Sequence, residues 1–348
     1  MTSSPVRYLV LWLTTACNLR CRYCYRFPEA PRAMGRDVAL AALSLAAASG
    51  LPFHVQLAGG EPALEPGLID FIGRAMREAG WPATLAVQTN GTLIDASFVD
   101  LCRRYDISVG VSLDGPPDVQ ERLRGRAGDT FQGLALLAQA SVPVTVTAVL
   151  SSVNAGSLSD LALTLASFAN IRGVALDPVV RKGSARTVPD LLPSADAARS
   201  GVRAMCETLE EMNRRYGKRI EWRELESVRH ALSDNGPGHA YCHACNGESL
   251  AVHPDGTVYP CGQTVGDPDI AAGTVDRVDW ERLGACYAEM GMKGDCGTCP
   301  LAGQCPGDCP SRLRYNKGTD VPAMCTVYRA IAESLSAKMP KIQKEARM

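Results

Sequence analysis

No stretch of this sequence is apolar over the roughly 18 residues that a membrane-spanning helix needs. The longest early apolar run, YLVLWL at 8–13, has the length of a strand. The opening residues, MTSSPVR, lack the apolar core and small-residue cleavage site of a secretory signal. A cytoplasmic location with no membrane partner is therefore expected. Charge of one sign is missing too: 36 Lys and Arg stand against 37 Asp and Glu in 348 residues. That balance gives no overall pull toward nucleic acid. There is no tandem repeat of fixed period and no low-complexity linker. Cysteine, by contrast, is abundant, with fourteen residues. In a reducing compartment a disulfide framework is excluded and metal binding is the natural use.

Strand-like and helical stretches alternate from residue 6 to about 180. Strands are expected at 7–15, 54–59, 84–89, 107–113, 142–150 and 173–180, several of them apolar on both faces, as in a covered parallel sheet. Helices are expected at 36–49, 66–79, 95–105, 117–139 and 156–169, and a longer one near 193–216. Six strand–helix repeats with right-handed crossovers predict an α/β fold, a partial (β/α)6 TIM-like barrel with its chemistry at the strand C-termini. A flat doubly wound sheet is the alternative. Composition changes near 235, where Cys, Gly and His become frequent and periodicity weakens. Two domains are expected, 1–234 and 235–348, the second drawing folding energy from bound metal. The tail at 324–345 reads as a helix ending in a basic stretch.

CNLRCRYCY places Cys17, Cys21 and Cys24 directly after the first strand. Three thiolates hold three irons of a cubane cluster and leave the fourth open. Zinc would want a fourth Cys or His nearby, and the first His is His54. GGEP (59–62) ends the second strand, QTNG (88–91) the third and SLDG (112–115) the fourth. Glycines admit a ligand close to the backbone, and a carboxylate suits an ammonium.

This ordered set resembles the radical S-adenosylmethionine (SAM) enzymes over residues 6 to about 190. The resemblance implies that the amino and carboxylate groups of SAM complete the open iron, and that one-electron cleavage gives a 5′-deoxyadenosyl radical able to take hydrogen from an inert C–H bond. It assigns Gly59, Gly60, Glu61 and Pro62 to the methionyl amino end, and Thr89, Asn90, Ser112 and Asp114 to the cofactor face. Arg124, in QERLR, is a partner for the SAM carboxylate, although Gln120 and Glu121 stand where relatives often carry His and Asp. Tyr23 falls at a position that often lies near adenine. The plain readings are a turn for GGEP, a solvated helix residue for Arg124 and core packing for Tyr23.

The second cysteine group reads C-x2-C-x5-C-x3-C at 296–309, followed by Cys325 and preceded by Cys242, Cys245 and Cys261. This spacing resembles the SPASM domain, which holds two auxiliary [4Fe-4S] clusters. Carried over, the resemblance gives one cluster to Cys242, Cys245, Cys261 and Cys309 and the other to Cys296, Cys299, Cys305 and Cys325. Either Cys242 or Cys245 fits the spacing to Cys261, so either is open to being a non-ligand. A pair of zinc sites is the alternative and leaves the C-x5-C-x3-C run unexplained. His239, His243 and His253 read as solvated loop residues, and Cys102, Cys206 and Cys286 as small core hydrophobes.

Three [4Fe-4S] clusters and SAM make an oxidoreductase the expectation. SPASM relatives mostly modify peptides or proteins, so the expected substrate is a ribosomally made peptide, oxidised by cross-linking, thioether formation or desaturation. A flavodoxin- or ferredoxin-type donor would supply electrons. The first strand starts near residue 7, which leaves no room ahead of it for a leader-binding domain, so a leader-bearing substrate would need a separate recognition protein or a surface of this one. CPGDCPSRLRYNKG (305–318) also resembles anaerobic sulfatase maturases, which make formylglycine, but Gly262 and Gln263 replace the acid usual after their VYPC cysteine. Oxidation or epimerisation of a small molecule is a further alternative. Asp177 and Arg181 flank the end of the sixth strand as candidate cavity residues.

Overall fold

The computed structural model describes residues 5–233, 240–288, 296–297, 299–317 and 323–337. The expected boundary near 235, His239, Gly318 and the basic tail beyond 337 lie outside the described residues.

Alternation within the first strand sets the layers. In β1 (Tyr8–Thr14), Leu9, Leu11 and Leu13 join the main core under the helices, while Val10 and Trp12 join a separate cluster on the opposite face. Five further strands follow at the expected places: β2 (Phe53–Gly59), β3 (Ala83–Thr89), β4 (Ser108–Ser112), β5 (Val144–Leu150) and β6 (Ile171–Pro178). Each pairs in parallel with the one before it. Over these six strands the order is strictly sequential, with no reversal, so the doubly wound alternative is excluded.

The crossovers carry α1 (Arg36–Ala47), α2 (Pro66–Ala79), α3 (Ala96–Tyr105), α4 (Pro117–Leu123), α5 (Ala127–Gln139) and α6 (Leu158–Ala166). The single helix expected at 117–139 is two. It breaks where Gly125 and Arg126 take left-handed backbone, φ 79° and 50°. Glu121 stabilises the break by accepting a 2.7 Å hydrogen bond from the Ala127 backbone N–H at the start of α5. Arg124 thereby leaves the helix and turns inward.

Among the described residues the sheet has nine strands, three more than expected. β7 (Glu221–Trp222) extends it beyond β6. β8 (Ser249–Val252) pairs in parallel with β1, Tyr8 opposite Ser249, and β9 (Val258–Tyr259) returns antiparallel to it. Leu250, Ala251, Val252 and Val258 are fully buried there. The cysteine-rich region thus shares an apolar core with the barrel rather than depending on metal alone.

Outside the sheet run α7 (Ala195–Tyr216), α8 (Arg223–Ser233), α9 (Trp280–Ala288), α10 (Pro310–Tyr315) and α11 (Ala323–Ala337). α11 packs on α7 and α8 and ties the C-terminal part back to the barrel. Cys102 and Cys206 are buried core residues, and Cys286 is half-buried on α9.

A buried asparagine fixes the top of β4 against β5. Asn154 donates to the Asp114 and Val149 carbonyls at 3.0 and 2.9 Å and accepts from the Ser151 backbone N–H at 2.8 Å. Asn154→Ala strands these groups and should lower stability by roughly 2–4 kcal/mol. Anaerobic denaturant unfolding of the apoprotein measures it.

Candidate functional site

The loop after β1 is folded back by its own polar groups. Thr15 donates from its backbone N–H to the Arg32 carbonyl at 2.9 Å and from its hydroxyl to the Ala30 carbonyl at 3.0 Å. Arg26 donates to the Thr15 carbonyl, and the Arg22 N–H reaches the Leu123 carbonyl at 2.9 Å. Cys17, Cys21 and Cys24 stand half-buried on this loop. Burial raises the Cys17 thiol above its ordinary pKa and pushes Cys21 up to about 11. Deprotonation there calls for a bound cation.

The glycines of GGEP let β2 run past that loop. The Gly60 and Glu61 backbone N–H groups donate to the Thr14 and Ala16 carbonyls at 2.7 and 2.9 Å. A Cβ on Gly60 would stand 1.8 Å from the Ala16 carbonyl oxygen. Glu61 is 1% exposed. One carboxylate oxygen accepts from the Ala63 N–H at 3.0 Å and the Thr89 hydroxyl at 2.6 Å, the other from the Asn90 N–H at 2.7 Å. Burial raises its pKa, and these donors oppose the rise. The carboxylate expected to receive a ligand ammonium is thus held first by the protein, with spare acceptor capacity on one oxygen. Asn90 in turn donates to the Asn18 side chain at 2.8 Å and lies 4.0 Å from the Cys17 sulfur.

Asp114 was expected at the cofactor face, but it stands behind it. It is fully buried, accepts from Arg124 Nε at 2.8 Å and the Val149 N–H at 2.7 Å, and receives the Tyr23 hydroxyl. Asp114 therefore holds both Arg124 and Tyr23, and the Arg124 guanidinium lies 5.2 Å from the Tyr23 ring centre. Only part of the Arg124 fork remains for another carboxylate. Gln120, the residue in place of the usual His, is fully buried, accepts from the Asp114 N–H at 3.0 Å and donates to the Ser112 carbonyl at 3.2 Å. Pro62 opens a short 3-10 turn and does not line the cavity either.

A cavity of about 590 Å³ runs along the strand ends and the sheet interior. Cys17, Cys21, Cys24, Gly59, Gly60, Glu61, Thr89, Asn90, Ser112, Arg124 and Tyr23 border one side of it. Cys242, Cys261 and Cys309 border the same space. Cys245 sits beside them, its sulfur 3.8 Å from that of Cys242, and the shared hydrogen bond lowers the Cys245 thiol and raises Cys242. Cys296, Cys299, Cys305 and Cys325 line a second cavity of about 440 Å³. Among the described residues no three His, Cys, Asp or Glu side chains converge as a single-ion site. The thiols stand around open space, a donor set that suits iron–sulfur clusters better than lone zinc ions.

One residue with a clear role lies inside CPGDCPSRLRYNKG, where its pattern gave it none. Arg312 is 1% exposed and joins both halves: it donates to Asp308 at 2.7 Å, Asp177 at 3.3 Å and the Tyr241 hydroxyl at 2.6 Å. Asp177 borders the cavity, and despite the cost of its burial Arg223 and Arg312 hold it below the usual carboxylate range. Arg181 is exposed and does not reach the cavity. His253 corrects the reading of solvated histidines. It is 6% exposed and bridges Glu29 at 3.1 Å and Asp255 at 2.8 Å, because β8 carries it beneath the cysteine loop. His243 is exposed and pairs with Glu248 at 3.1 Å.

Residues 13–163 match the model of the radical SAM superfamily. The chain thus carries a radical SAM domain over that stretch, a fold that binds SAM and a [4Fe-4S] cluster. Among curated relatives it is similar to the serine-type anaerobic sulfatase-maturating enzyme of Klebsiella aerogenes, with 27% identity over 346 residues, 89% of this chain and 81% of that protein. The fold matches anSMEcpe, solved with bound AdoMet, at TM-score 0.78 and 18% identity over 99% of this chain and all of that one. It also matches Streptococcus suis SuiB, solved with its precursor peptide SuiA, at TM-score 0.67 and 17% identity over 90% of this chain and 74% of that one.

Removing the Asp114 carboxylate would leave the buried Arg124 guanidinium unpaired. Asp114→Ala should cost about 3–5 kcal/mol. The conservative Asp114→Asn should cost less, because its carbonyl oxygen still accepts a hydrogen bond. Urea unfolding of the two variants under anaerobic conditions reads the difference.

Proposed function

We propose that this chain is a radical SAM maturase that oxidatively modifies a ribosomally made peptide, with one SAM-binding and two auxiliary [4Fe-4S] clusters. The observation that carries the reading is the shared cavity of about 590 Å³, bordered both by Cys17, Cys21 and Cys24 and by Cys242, Cys261 and Cys309. A substrate residue held there would be within reach of both sites. When bound, the clusters and SAM supply one-electron chemistry that takes a hydrogen atom from an unactivated C–H bond and accepts the electron left behind.

The chain's own residues do the positioning. Cys17, Cys21 and Cys24 would hold the cluster with one iron open. Gly59 and Gly60 present backbone, and Glu61 one oxygen, to the SAM ammonium. Ser112 and the rest of the Arg124 fork would meet polar groups and the carboxylate, beside the Tyr23 ring. Cys242, Cys245, Cys261 and Cys309 would hold the first auxiliary cluster, and Cys296, Cys299, Cys305 and Cys325 the second. With four thiolates at each auxiliary site, neither needs a substrate ligand. We read residues 1–234 as the SAM-binding part and 235–348 as the auxiliary part, in a cytoplasmic enzyme served by a flavodoxin- or ferredoxin-type donor and a separate leader-recognition protein.

A formylglycine-forming activity is the second reading, favoured by the similarity to the Klebsiella aerogenes enzyme. Oxidation of a serine or cysteine side chain calls for a base to take the hydroxyl or thiol proton. Both carboxylates bordering the cavity are engaged, Glu61 by three donors and Asp177 by two arginines. That arrangement favours an oxidation that does not start from such a proton transfer.

Anaerobic reconstitution should give about twelve irons per chain. With SAM and a reductant the product should include 5′-deoxyadenosine and methionine. Replacing Cys17, Cys21 and Cys24 together by Ala should abolish cleavage and leave about eight irons. Intact clusters without SAM cleavage would refute the proposal. Co-expression with small peptides encoded nearby, followed by mass spectrometry, should show a peptide lighter by two hydrogens. A serine or cysteine converted to formylglycine would support the second reading, and no change on any peptide would point to a small molecule.

A further inference from the structure

Lys182 follows β6 and is fully buried. A lysine without any exposure is uncommon and is nearly always paired. Among the described residues no carboxylate lies within 4.0 Å of this ammonium. Its Nζ donates to the Val265 carbonyl at 2.5 Å. Three aromatic rings surround it: Phe27 with its centre at 4.6 Å, Tyr315 at 5.7 Å and Tyr25 at 5.9 Å. Burial pulls its pKa down to about 8, against the opposing field of Asp267, Cys261, Cys24 and Glu29.

The surroundings belong to both halves of the redox apparatus. Tyr25 and Phe27 lie on the loop just past Cys24. Val265 lies on the segment just past Cys261, and Tyr315 ends α10, which starts at the residue after Cys309. A methionine or leucine would fill an aromatic cage without the cost of burying a charge. The presence of lysine points to a use for the charge itself.

We propose that Lys182 tunes the redox sites: its buried ammonium stabilises the electron-rich state of the clusters at Cys17, Cys21 and Cys24 and at Cys242, Cys245, Cys261 and Cys309, and so raises their midpoint potentials. The inference rests on the cluster assignment of the preceding section. Each reduction adds one electron from the external donor and breaks no bond. A positive charge in a poorly solvated site favours the state with one more negative charge. The Cys296, Cys299, Cys305 and Cys325 site lines a separate cavity that none of Tyr25, Phe27, Val265 and Tyr315 borders, and it serves as an internal reference.

The test is a potentiometric titration of the reconstituted full chain, followed by electron paramagnetic resonance without peptide substrate. Lys182→Met should keep its iron and shift the two neighbouring clusters to lower potential, leaving the reference cluster in place. Lys182→Arg should stay near the wild type. Phe27→Leu, which disturbs the cage but keeps the cation, should leave the potentials unchanged. If the Met variant fails to fold, Lys182→Gln takes its place. Full iron with unshifted potentials would overturn the proposal, as would a shift in Phe27→Leu equal to that in Lys182→Met. The iron count and spectra of the wild type test the cluster assignment separately.

Discussion

The carboxylate of Glu61 accepts hydrogen bonds from the Ala63 N–H, the Thr89 hydroxyl and the Asn90 N–H where water does not reach. A buried carboxylate lacking such donors would be costly, so the donors and the acceptor fix one another. The end of β2, the short turn after it and the end of β3 are thereby set from one point. Asn90 extends the constraint through Asn18 to the cysteine loop. The open face at Cys17, Cys21 and Cys24 has its shape because this carboxylate has its place.

The cysteine-rich half follows the same logic with opposite charge at its centre. Arg312 is the buried hub, and Asp308, Asp177 and Tyr241 converge on it. Asp308 also accepts from the backbone N–H groups of Cys309 at 2.6 Å and Met324 at 3.1 Å, next to thiols of the two cavities, Cys309 in one and Cys325 in the other. In both halves strongly perturbed ionisable groups hold the segments that carry the thiols in position. Perturbed groups in a cavity often indicate proton transfer; here burial raises Glu61 while its donors oppose the rise, and Arg223 and Arg312 hold Asp177 low against the cost of its burial.

Strands and thiols were legible in the sequence because each leaves a regular trace. Six apolar runs with helical spacers specify a sequential parallel sheet, and cysteine spacing is constrained by cluster geometry. Both cavities collect the thiols that spacing had grouped, Cys245 excepted from the lining though not from the neighbourhood. What stayed hidden depends on contacts distant along the chain. The break between α4 and α5 lies inside a continuous amphipathic run and shows only through Glu121 and Asp114. SLAV at 249–252 is too short to display a period, so its place beside β1 was invisible, and with it the burial of His253. Asp114 looks like a ligand in a motif and is held behind the cavity by the protein, whereas Glu61 is held by the protein yet still borders the cavity, a distinction that needs their partners. Lys182 sits in no motif at all.

β1 has a neighbour on each side, β2 on one and β8 on the other. The strand that delivers the first cysteine loop is thus walled on its far edge by the cysteine-rich region. Cutting the chain ahead of that region would bare an almost wholly apolar strand edge, a template for aggregation. The cysteine-rich part is therefore no detachable cassette. A swap between relatives that hopes to transplant substrate preference would have to carry β1's partner along, with a matching register, or the recipient barrel would lose its closing edge.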